Sequence, residues 1–174
     1  MADLFVEILG KPHGFIVFQL LAACRFTIYL SLIAFVGGGA IACLITLLRI
    51  SKIPSLQGFA TTFIWVFQSI PLLMLLFLIG LGMPRLLDVN VDPWTAATIA
   101  LVLFTAAYLA EVWRGAIESV ARGQWEASYA LNIRYSLLLR DVILPQAIKF
   151  GVAPTIGFMV QIIKGTSLAY IIGF

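Results

Sequence analysis

The stretch FTIYLSLIAFVGGGAIACLITLL, residues 26–48, contains no charged side chain and lies between Arg25 and Arg49. A helix of that length rises about 34 Å, and the hydrocarbon core of a bilayer is about 30 Å thick. The stretch therefore predicts a membrane-spanning helix. The apolar run before it, GFIVFQLLAAC at residues 14–24, is compatible with an extension of the same helix or with a segment along the membrane interface.

The composition of the whole chain agrees with this prediction. Of its 174 residues, 62% are hydrophobic and 11% are charged, whereas about 25% of a soluble protein is charged. The formal net charge of +3 comes from scattered side chains and gives no support for nucleic-acid binding. Cys24 and Cys43 are too few for a disulfide framework or a metal site, and we expect them to be buried as small apolar side chains.

Three further spans are predicted from apolar runs at residues 57–82, 94–111 and 145–164. The first of these runs has Pro71 in its middle but no polar turn, which favours one kinked helix over two. We therefore expect an all-α integral membrane protein with one domain over residues 1–174 and a polar loop over residues 112–144. The apolar pattern that breaks off within residues 165–174 predicts a fifth span outside the chain.

Lysine and arginine residues are concentrated on one side of the predicted spans. The loop after the first span carries Arg49 and Lys52. The polar loop and its end carry Arg114, Arg122, Arg134, Arg140 and Lys149, whereas Lys11 and Arg85 lie on the opposite side. Because positively charged loops stay in the cytoplasm, the N-terminus is predicted outside and the polar loop inside. The acidic start of the chain lacks the basic region of a cleaved signal peptide, so none is predicted.

Small residues recur at a spacing of four in the first span, at Ala34, Gly38 and Ala42. Small side chains at this spacing let two membrane helices approach closely. The ridge therefore predicts a tight helix crossing with no direct chemical role.

Within the polar loop, the sequence GQWEASYALN at residues 123–132 predicts a short helix. Its apolar stripe includes Trp125 and Tyr129, and a helix this short needs packing to be stable. Asn132 is predicted to end it, because asparagine tolerates the left-handed conformation that closes many helices. A second helix over residues 133–144 is expected to leave at an angle. An exposed apolar stripe of this kind favours contact with a partner protein.

The same loop resembles the hallmark of the permease subunits of bacterial ABC importers, which is E-A-A, three residues, G, nine residues and I-x-L-P. The positions of this motif are held by Glu126, Ala127, Ser128, Asn132 and residues 142–145. The branch of the family that imports polar amino acids extends the motif upstream as G-Q-W-E-A, which matches residues 123–127. Ser128, Asn132 and Val142 depart from the pattern, each by a physically mild change.

Shorter matches to this branch lie in the spans. Tyr108 and Glu111 fit its Y-x-x-E pattern before the loop, and Lys164 fits the first position of its K-D-T-S-L. Gly165 stands where the branch usually carries aspartate, and Gln68 stands where it usually carries arginine. Each of these matches is weak by itself, and the loop carries the resemblance.

The resemblance implies a type I ABC-importer permease bundle with several partners. The first loop helix is then the coupling helix, and its contacts with a separate ATPase subunit are assigned to Gly123, Trp125, Glu126, Ala127, Ser128, Leu131 and Asn132. Two permease chains, identical or related, pair in the bacterial cytoplasmic (inner) membrane, and a periplasmic or lipid-anchored solute-binding protein delivers a polar amino acid. ATP and magnesium belong to the ATPase, because this chain has no phosphate-binding loop sequence, and no cofactor or metal is expected on the chain itself.

Polar groups inside apolar spans are costly and tend to face a cavity or a neighbouring helix. The substrate pathway is therefore predicted to include Gln68, Tyr108, Glu111, Gln161 and Lys164. Other roles stay open, since Glu111 can pair with Arg114 along one helix face. Tyr108 also suits an interfacial aromatic belt, and Lys164 can extend to the membrane surface.

A membrane protein of this size has two alternative functions to consider, an ATP-independent channel or secondary transporter and a membrane-embedded enzyme. An ATP-independent channel or secondary transporter usually has ionisable groups deep in its spans or two repeated halves, and the sequence shows neither pattern. A membrane-embedded enzyme needs a cluster of catalytic side chains, whereas the one histidine, His13, has no evident catalytic neighbours. The chain is therefore predicted to be a non-catalytic subunit. For Trp125 and Tyr129, packing beneath the spans is an equal alternative to contact with the ATPase.

Overall fold

The computed structural model describes residues 13–173, and within that range the regular structure is entirely helical. Its six helices are α1 (His13–Arg49), α2 (Pro54–Ser69), α3 (Leu72–Leu87), α4 (Pro93–Glu118), α5 (Arg122–Ala130) and α6 (Tyr135–Ile172). Helices α1, α4 and α6 are each long and apolar enough to cross a membrane, and the bent pair α2–α3 would supply a fourth crossing. The predicted all-α membrane fold is confirmed.

Helix α4 is the centre of the bundle, because it packs against α1, α2, α3 and α6. Its buried positions are mostly small, and they include Ala96, Ala97, Ala100, Ala106, Ala107 and Ala110. Large apolar side chains such as Trp65 and Tyr170 lie exposed on the outside of the bundle. An apolar exterior of this kind is what a bilayer solvates and what water does not.

Helix α1 continues upstream of the predicted span as far as His13, so the apolar run at residues 14–24 extends the helix. Cys24 and Cys43 lie on the exposed surface of α1 as free thiols, and their predicted burial was wrong. Burial is determined by the side of the helix on which a residue lies, and composition alone does not give that side.

The tight crossing predicted from the small-residue ridge lies between α1 and α4. Ala34 and Ala42 are completely buried. A Cβ atom added at Gly38 would lie 2.6 Å from the Cβ of Thr105 and 2.9 Å from the carbonyl oxygen of Val102. The two helices approach so closely that only glycine fits at this point, and the prediction is confirmed.

The predicted single helix around Pro71 is instead two helices, α2 and α3, which meet at an angle of 97°. Steric conflict with a proline ring disfavours the helical conformation of the preceding residue. Ile70 accordingly has an extended backbone, with φ −95° and ψ 119°. The proline therefore separates the two helices at a sharp corner, where the sequence indicated a milder kink.

Helix α4 begins at its predicted position but continues about two turns beyond the predicted end at residue 111. Asp92 caps its start, where its carboxylate accepts hydrogen bonds from the hydroxyl and the backbone N–H of Thr95 at 2.6 and 2.9 Å. These hydrogen bonds hold the pKa of Asp92 below its usual value. The polar loop therefore begins after Glu118, seven residues later than predicted.

Helix α6 replaces two predicted elements, an angled loop helix and a separate span from residue 145. The chain stays helical from Tyr135 to Ile172. A π-helical stretch, Leu138–Ile143, ends two residues before Pro145. Because the regular hydrogen-bond ladder is already shifted there, a proline without an N–H is accommodated.

Some predictions concern residues outside the described range. They include the prediction about a signal peptide and the predicted side of Lys11, and the side chain of His13 is likewise not described. The predicted fifth span stays a prediction.

Candidate functional site

At one end of the bundle, the connection between α4 and α6 and the first nine residues of α6 form a unit, residues 119–143, which we call the elbow. A second apolar cluster lies beneath it, separate from the main core. Its buried members are Ile117, Val120, Leu138, Ile143 and Ala147, and Trp125, Ile133 and Tyr135 are among the side chains packed on it. One face of α5 is therefore held to the bundle by this second cluster.

Helix α5 ends in the conformation that the sequence predicted. Asn132 has a φ of +54°. The N–H of Ile133 donates to the carbonyl of Ser128 at 3.0 Å, and the N–H of Asn132 donates to the carbonyl of Tyr129 at 2.9 Å. This pair of bonds is the Schellman arrangement, in which a left-handed residue closes a helix and satisfies its last carbonyls.

A long-range contact joins the elbow to the turn between α1 and α2. The hydroxyl of Tyr135 donates a hydrogen bond to the carbonyl of Ile50 at 2.8 Å. The ammonium of Lys52 lies 4.6 Å from the centre of the Tyr135 ring, within cation–π range. Sequence reasoning did not identify Tyr135, because its partners lie more than 80 residues away and no local pattern indicates them.

The residues predicted to contact an ATPase divide into two groups on α5 and on the two residues that follow it. The exposed group consists of Gly123, Glu126, Ala127, Leu131 and Asn132, and the exposed Tyr129 adjoins it. Trp125 is half-buried against the second cluster. Ser128 is buried, and its hydroxyl donates to the carbonyl of Gln124 at 2.7 Å. The structure therefore gives Trp125 and Ser128 inward contacts within the chain, while the exposed group forms an outer face.

The structure has a groove of about 410 Å³, and three of the predicted pathway residues line it together. These three are Tyr108, Gln161 and Lys164, and the other lining residues come from α4, α6 and the corner between α2 and α3. Pockets of roughly 300–1,000 Å³ are typical of small-molecule sites. We call this space the polar groove.

Phe104 and Tyr108 form an aromatic wall of the polar groove, and the buried Phe158 packs against both rings. The rings of Tyr108 and Phe158 are nearly parallel, with centroids 5.4 Å apart and an interplanar angle of 11°. Phe104 contacts both rings, at 4.5 Å from Tyr108 and 6.2 Å from Phe158. Phe158 was missed in the sequence, although its position three residues before Gln161 places it near the same helix face.

The other two predicted pathway residues do not line the groove. The side-chain amide of Gln68 donates to the carbonyl of Ala107 at 3.5 Å, which joins α2 to α4. Glu111 accepts two bonds from the guanidinium of Arg114, at 2.9 and 2.5 Å, so the predicted ion pair is present. Arg114 also pairs with Glu118 on the next turn, which extends the ion pair into a chain of three charges along α4.

A second cavity, of about 440 Å³, lies between α1, α4 and α6 near the elbow. It is lined by apolar and uncharged side chains, among them Leu47, Ile148 and Val152. Trp113 donates its indole N–H to the hydroxyl of Thr155 at 3.1 Å in the wall of this cavity. It offers no charge to a polar ligand. Over residues 13–173, no group of three potential metal ligands comes together.

The family described as binding-protein-dependent transport system inner membrane component matches residues 38–174. The chain belongs to this family. The match includes the elbow and the polar groove, together with α2 to α6 and the last third of α1. The predicted permease resemblance is thereby confirmed, and an inner-membrane protein with several spans agrees with the apolar helices.

Named relatives are permeases of amino-acid transport systems. The L-cystine transport system permease protein TcyB of Bacillus subtilis is 36% identical, over 83% of this chain and 61% of its own length. The arginine transport system permease protein ArtQ of Bacillus subtilis is 30% identical, over 88% of this chain and 70% of its own length. The chain spans 61–65% of the length of three of the curated relatives that it matches.

Solved transporters share the fold. A crystal structure of an amino acid ABC transporter with histidines has a chain that superposes with a TM-score of 0.87 at 28% identity, covering 98% of this chain and 77% of that one. The MetNI methionine ABC transporter in an inward-facing conformation superposes at 0.65 with 20% identity, covering 91% and 74%. The second likeness concerns the fold alone.

Proposed function

We propose that this chain is a transmembrane subunit of an ATP-driven importer and forms part of a pathway for polar amino acids. In this proposal the exposed face of α5 transmits the work of a separate ATPase subunit to the spans. The ATPase binds ATP and magnesium, while this chain binds neither. A second permease chain and an extracytoplasmic solute-binding protein complete the assembly.

The observation that carries the proposal is the construction of the elbow. Helix α5 exposes an apolar and charged face, with Leu131 74% exposed and Tyr129 54% exposed. Its opposite face is fixed to α4 and α6 by the second cluster. A push on the exposed face therefore passes directly into two spans. Exposed apolar side chains on an anchored helix are typical of a protein contact.

The orientation follows from the same positions. Arg122, Arg134 and Arg140 are exposed around the elbow, and positively charged connections stay in the cytoplasm. We therefore place the elbow at the cytoplasmic surface and the start of α1 at the outer surface. The family description as an inner membrane component supports the bacterial cytoplasmic membrane as the location.

The polar groove supports the assignment of a solute pathway. Pro71 and Leu72 line it at the corner between α2 and α3. Broken membrane helices leave backbone N–H and C=O groups free at their ends, and transporters commonly bind solutes beside such breaks. Polar side chains and an aromatic wall in the same groove give an amino acid both hydrogen-bond partners and an apolar surface.

The coupling assignment is tested in a reconstituted complex. We expect Glu126→Lys or Leu131→Arg to abolish substrate-stimulated ATP hydrolysis by the partner, because each places an unsuitable charge in the contact. The matched control is Leu86→Arg, since Leu86 is 79% exposed at the opposite end of the bundle. Co-purification of the ATPase should decrease for the two α5 variants and stay at the wild-type level for the control.

Membrane insertion and chromatographic behaviour of all variants must match the wild type for this comparison to hold. If both α5 variants retain the ATPase and transport at the wild-type rate, the coupling assignment is wrong. If the wild-type complex hydrolyses ATP but takes up no amino acid from any solute-binding protein tested, the assignment of amino acids as substrates is wrong.

A further inference from the structure

Lys164 is exposed on α6 and lines the polar groove. The polar groove that it lines is flanked by Phe104 and Tyr108, which bracket the middle of the 26-residue helix α4. An ammonium group near the centre of a membrane is costly unless it has a counter-charge or contact with water. Its environment therefore has to supply an anion or an aqueous path.

The described part of the chain provides no such anion. The ion pairs found between residues 13 and 173 all involve Arg114 or Arg140, and none of them includes Lys164. The lining of the groove contains no aspartate or glutamate. The next residue, Gly165, is packed so closely that an added Cβ would lie 2.9 Å from a methyl of Leu72. The groove consequently carries one positive charge against neutral walls.

We propose that Lys164 binds the carboxylate of the transported amino acid and makes the groove selective for neutral and acidic side chains over cationic ones. This inference rests on the proposed function. A carboxylate supplies the missing counter-charge, and a charged N–H donor makes a stronger hydrogen bond than a neutral one. A second positive charge on an arginine or lysine substrate would lie in the same groove as Lys164 without an acidic group of this chain to offset it.

The remaining lining groups match the rest of such a substrate. Gln161, one turn before Lys164, offers an amide oxygen to the α-ammonium group and an amide N–H to a neutral or acidic side chain. The rings of Tyr108 and Phe104 cover the aliphatic part of the substrate on one side. These groups are uncharged, so the sign of the preferred side chain depends on Lys164.

The test measures binding of radiolabelled glutamine, glutamate and arginine to the complete complex in lipid nanodiscs, without the solute-binding protein. The wild type should bind glutamine and glutamate about tenfold more tightly than arginine, because the side-chain charge of arginine would lie in the same groove as Lys164 with no acidic group to offset it. Lys164→Gln should weaken glutamine binding by about tenfold or more. Lys164→Arg should restore it, and Lys164→Glu should bind arginine in preference to glutamate.

The matched control is Lys149→Gln, which removes an exposed lysine from the same helix and should leave all three affinities unchanged. Equal affinity of the wild type for arginine and glutamine, an unchanged affinity in Lys164→Gln, or no binding by the wild type would each overturn the proposal. Measurement of uptake with the solute-binding protein distinguishes failure of the selectivity assignment from failure of the proposed function. If amino acids are still imported in those cases, the selectivity assignment alone fails, and if none is imported, the proposed function fails too.

Discussion

The α1–α4 crossing and the elbow are held together in opposite ways. At the crossing, two backbones touch, with Gly38 against Thr105 and the completely buried Ala34 and Ala42 on either side. At the elbow, long side chains such as Leu138 and Ile143 fill the space between short helical segments. The crossing is formed by the absence of side-chain atoms, whereas the elbow is formed by their presence.

This difference predicts how each region fails. The crossing has no room for an added group, because the neighbouring atoms include a backbone oxygen that cannot rotate away. The elbow has few buried side chains, so the loss of any one of them removes a large part of its stability. Helices α1 and α4 are closely packed, whereas α5 is held by few buried side chains. This arrangement suits a bundle on which a partner protein acts from one end.

The largest effect is expected for Gly38→Leu. The new side chain would meet the Cβ of Thr105 at 2.6 Å and the carbonyl oxygen of Val102 at 2.9 Å with its first carbon alone. Overpacking of this severity should destabilise the bundle by at least about 3 kcal/mol. Thermal unfolding in detergent, followed by the loss of the monodisperse chromatographic peak, measures the effect.

Gly157→Ala is the matched control for this variant, because an added Cβ at Gly157 meets no heavy atom within 4 Å. Its thermal stability should equal or slightly exceed that of the wild type, since alanine favours a helix more than glycine does. A Gly38→Leu protein that is as stable as Gly157→Ala would show that the two backbones are not in contact.

A smaller and local effect is expected for Leu138→Ala. Leu138 is completely buried in the second cluster, and truncation of a buried leucine costs about 2–5 kcal/mol. Hydrogen exchange should accelerate at amides of residues 122–143 and stay slow in α4. The neighbouring Leu137→Ala, at a side chain that is 46% exposed, should change stability by less than about 0.5 kcal/mol. Equal exchange in the two variants would contradict the role of the second cluster.

Features that depend on local sequence were predictable. The spacing of Ala34, Gly38 and Ala42 indicated the crossing, and the preference of asparagine for the left-handed region indicated the end of α5. The corner at Pro71 was predicted in position but not in angle. A proline specifies that the preceding residue leaves the helix, while the packing of α3 against α4 and the end of α6 fixes the direction that the chain then takes.

Only part of the candidate site was predictable, because the sequence shows local features and does not show which helices the fold brings together. Polar side chains in apolar spans indicated Tyr108, Gln161 and Lys164, which the fold brings to one groove. The same rule indicated Gln68, whose amide instead bonds to the carbonyl of Ala107 on another helix. Sequence shows that a buried polar group needs a partner, but it does not show whether the fold already provides one.

The last prediction concerns Asn132, which ends α5 at a position where the family motif has glycine. Asn132 has a φ of +54°, a conformation that glycine adopts freely, that asparagine tolerates, and that costs most other residues about 1–2 kcal/mol. Asn132→Val should therefore loosen the end of α5, whereas Asn132→Gly should preserve it. Hydrogen exchange at the amides of Asn132 and Ile133, which close the helix, should accelerate by about tenfold in the valine variant.

If valine and glycine at this position gave the same exchange rates and the same substrate-stimulated ATP hydrolysis, the left-handed cap would have no part in positioning α5. The effect is expected to be smaller than that of Leu138→Ala, because the second cluster still holds the helix when its cap is strained. A coupling defect in Asn132→Val with normal ATPase co-purification would separate the two functions of the elbow. It would show that the outer face recruits the partner and that the cap fixes the direction in which α5 transmits force.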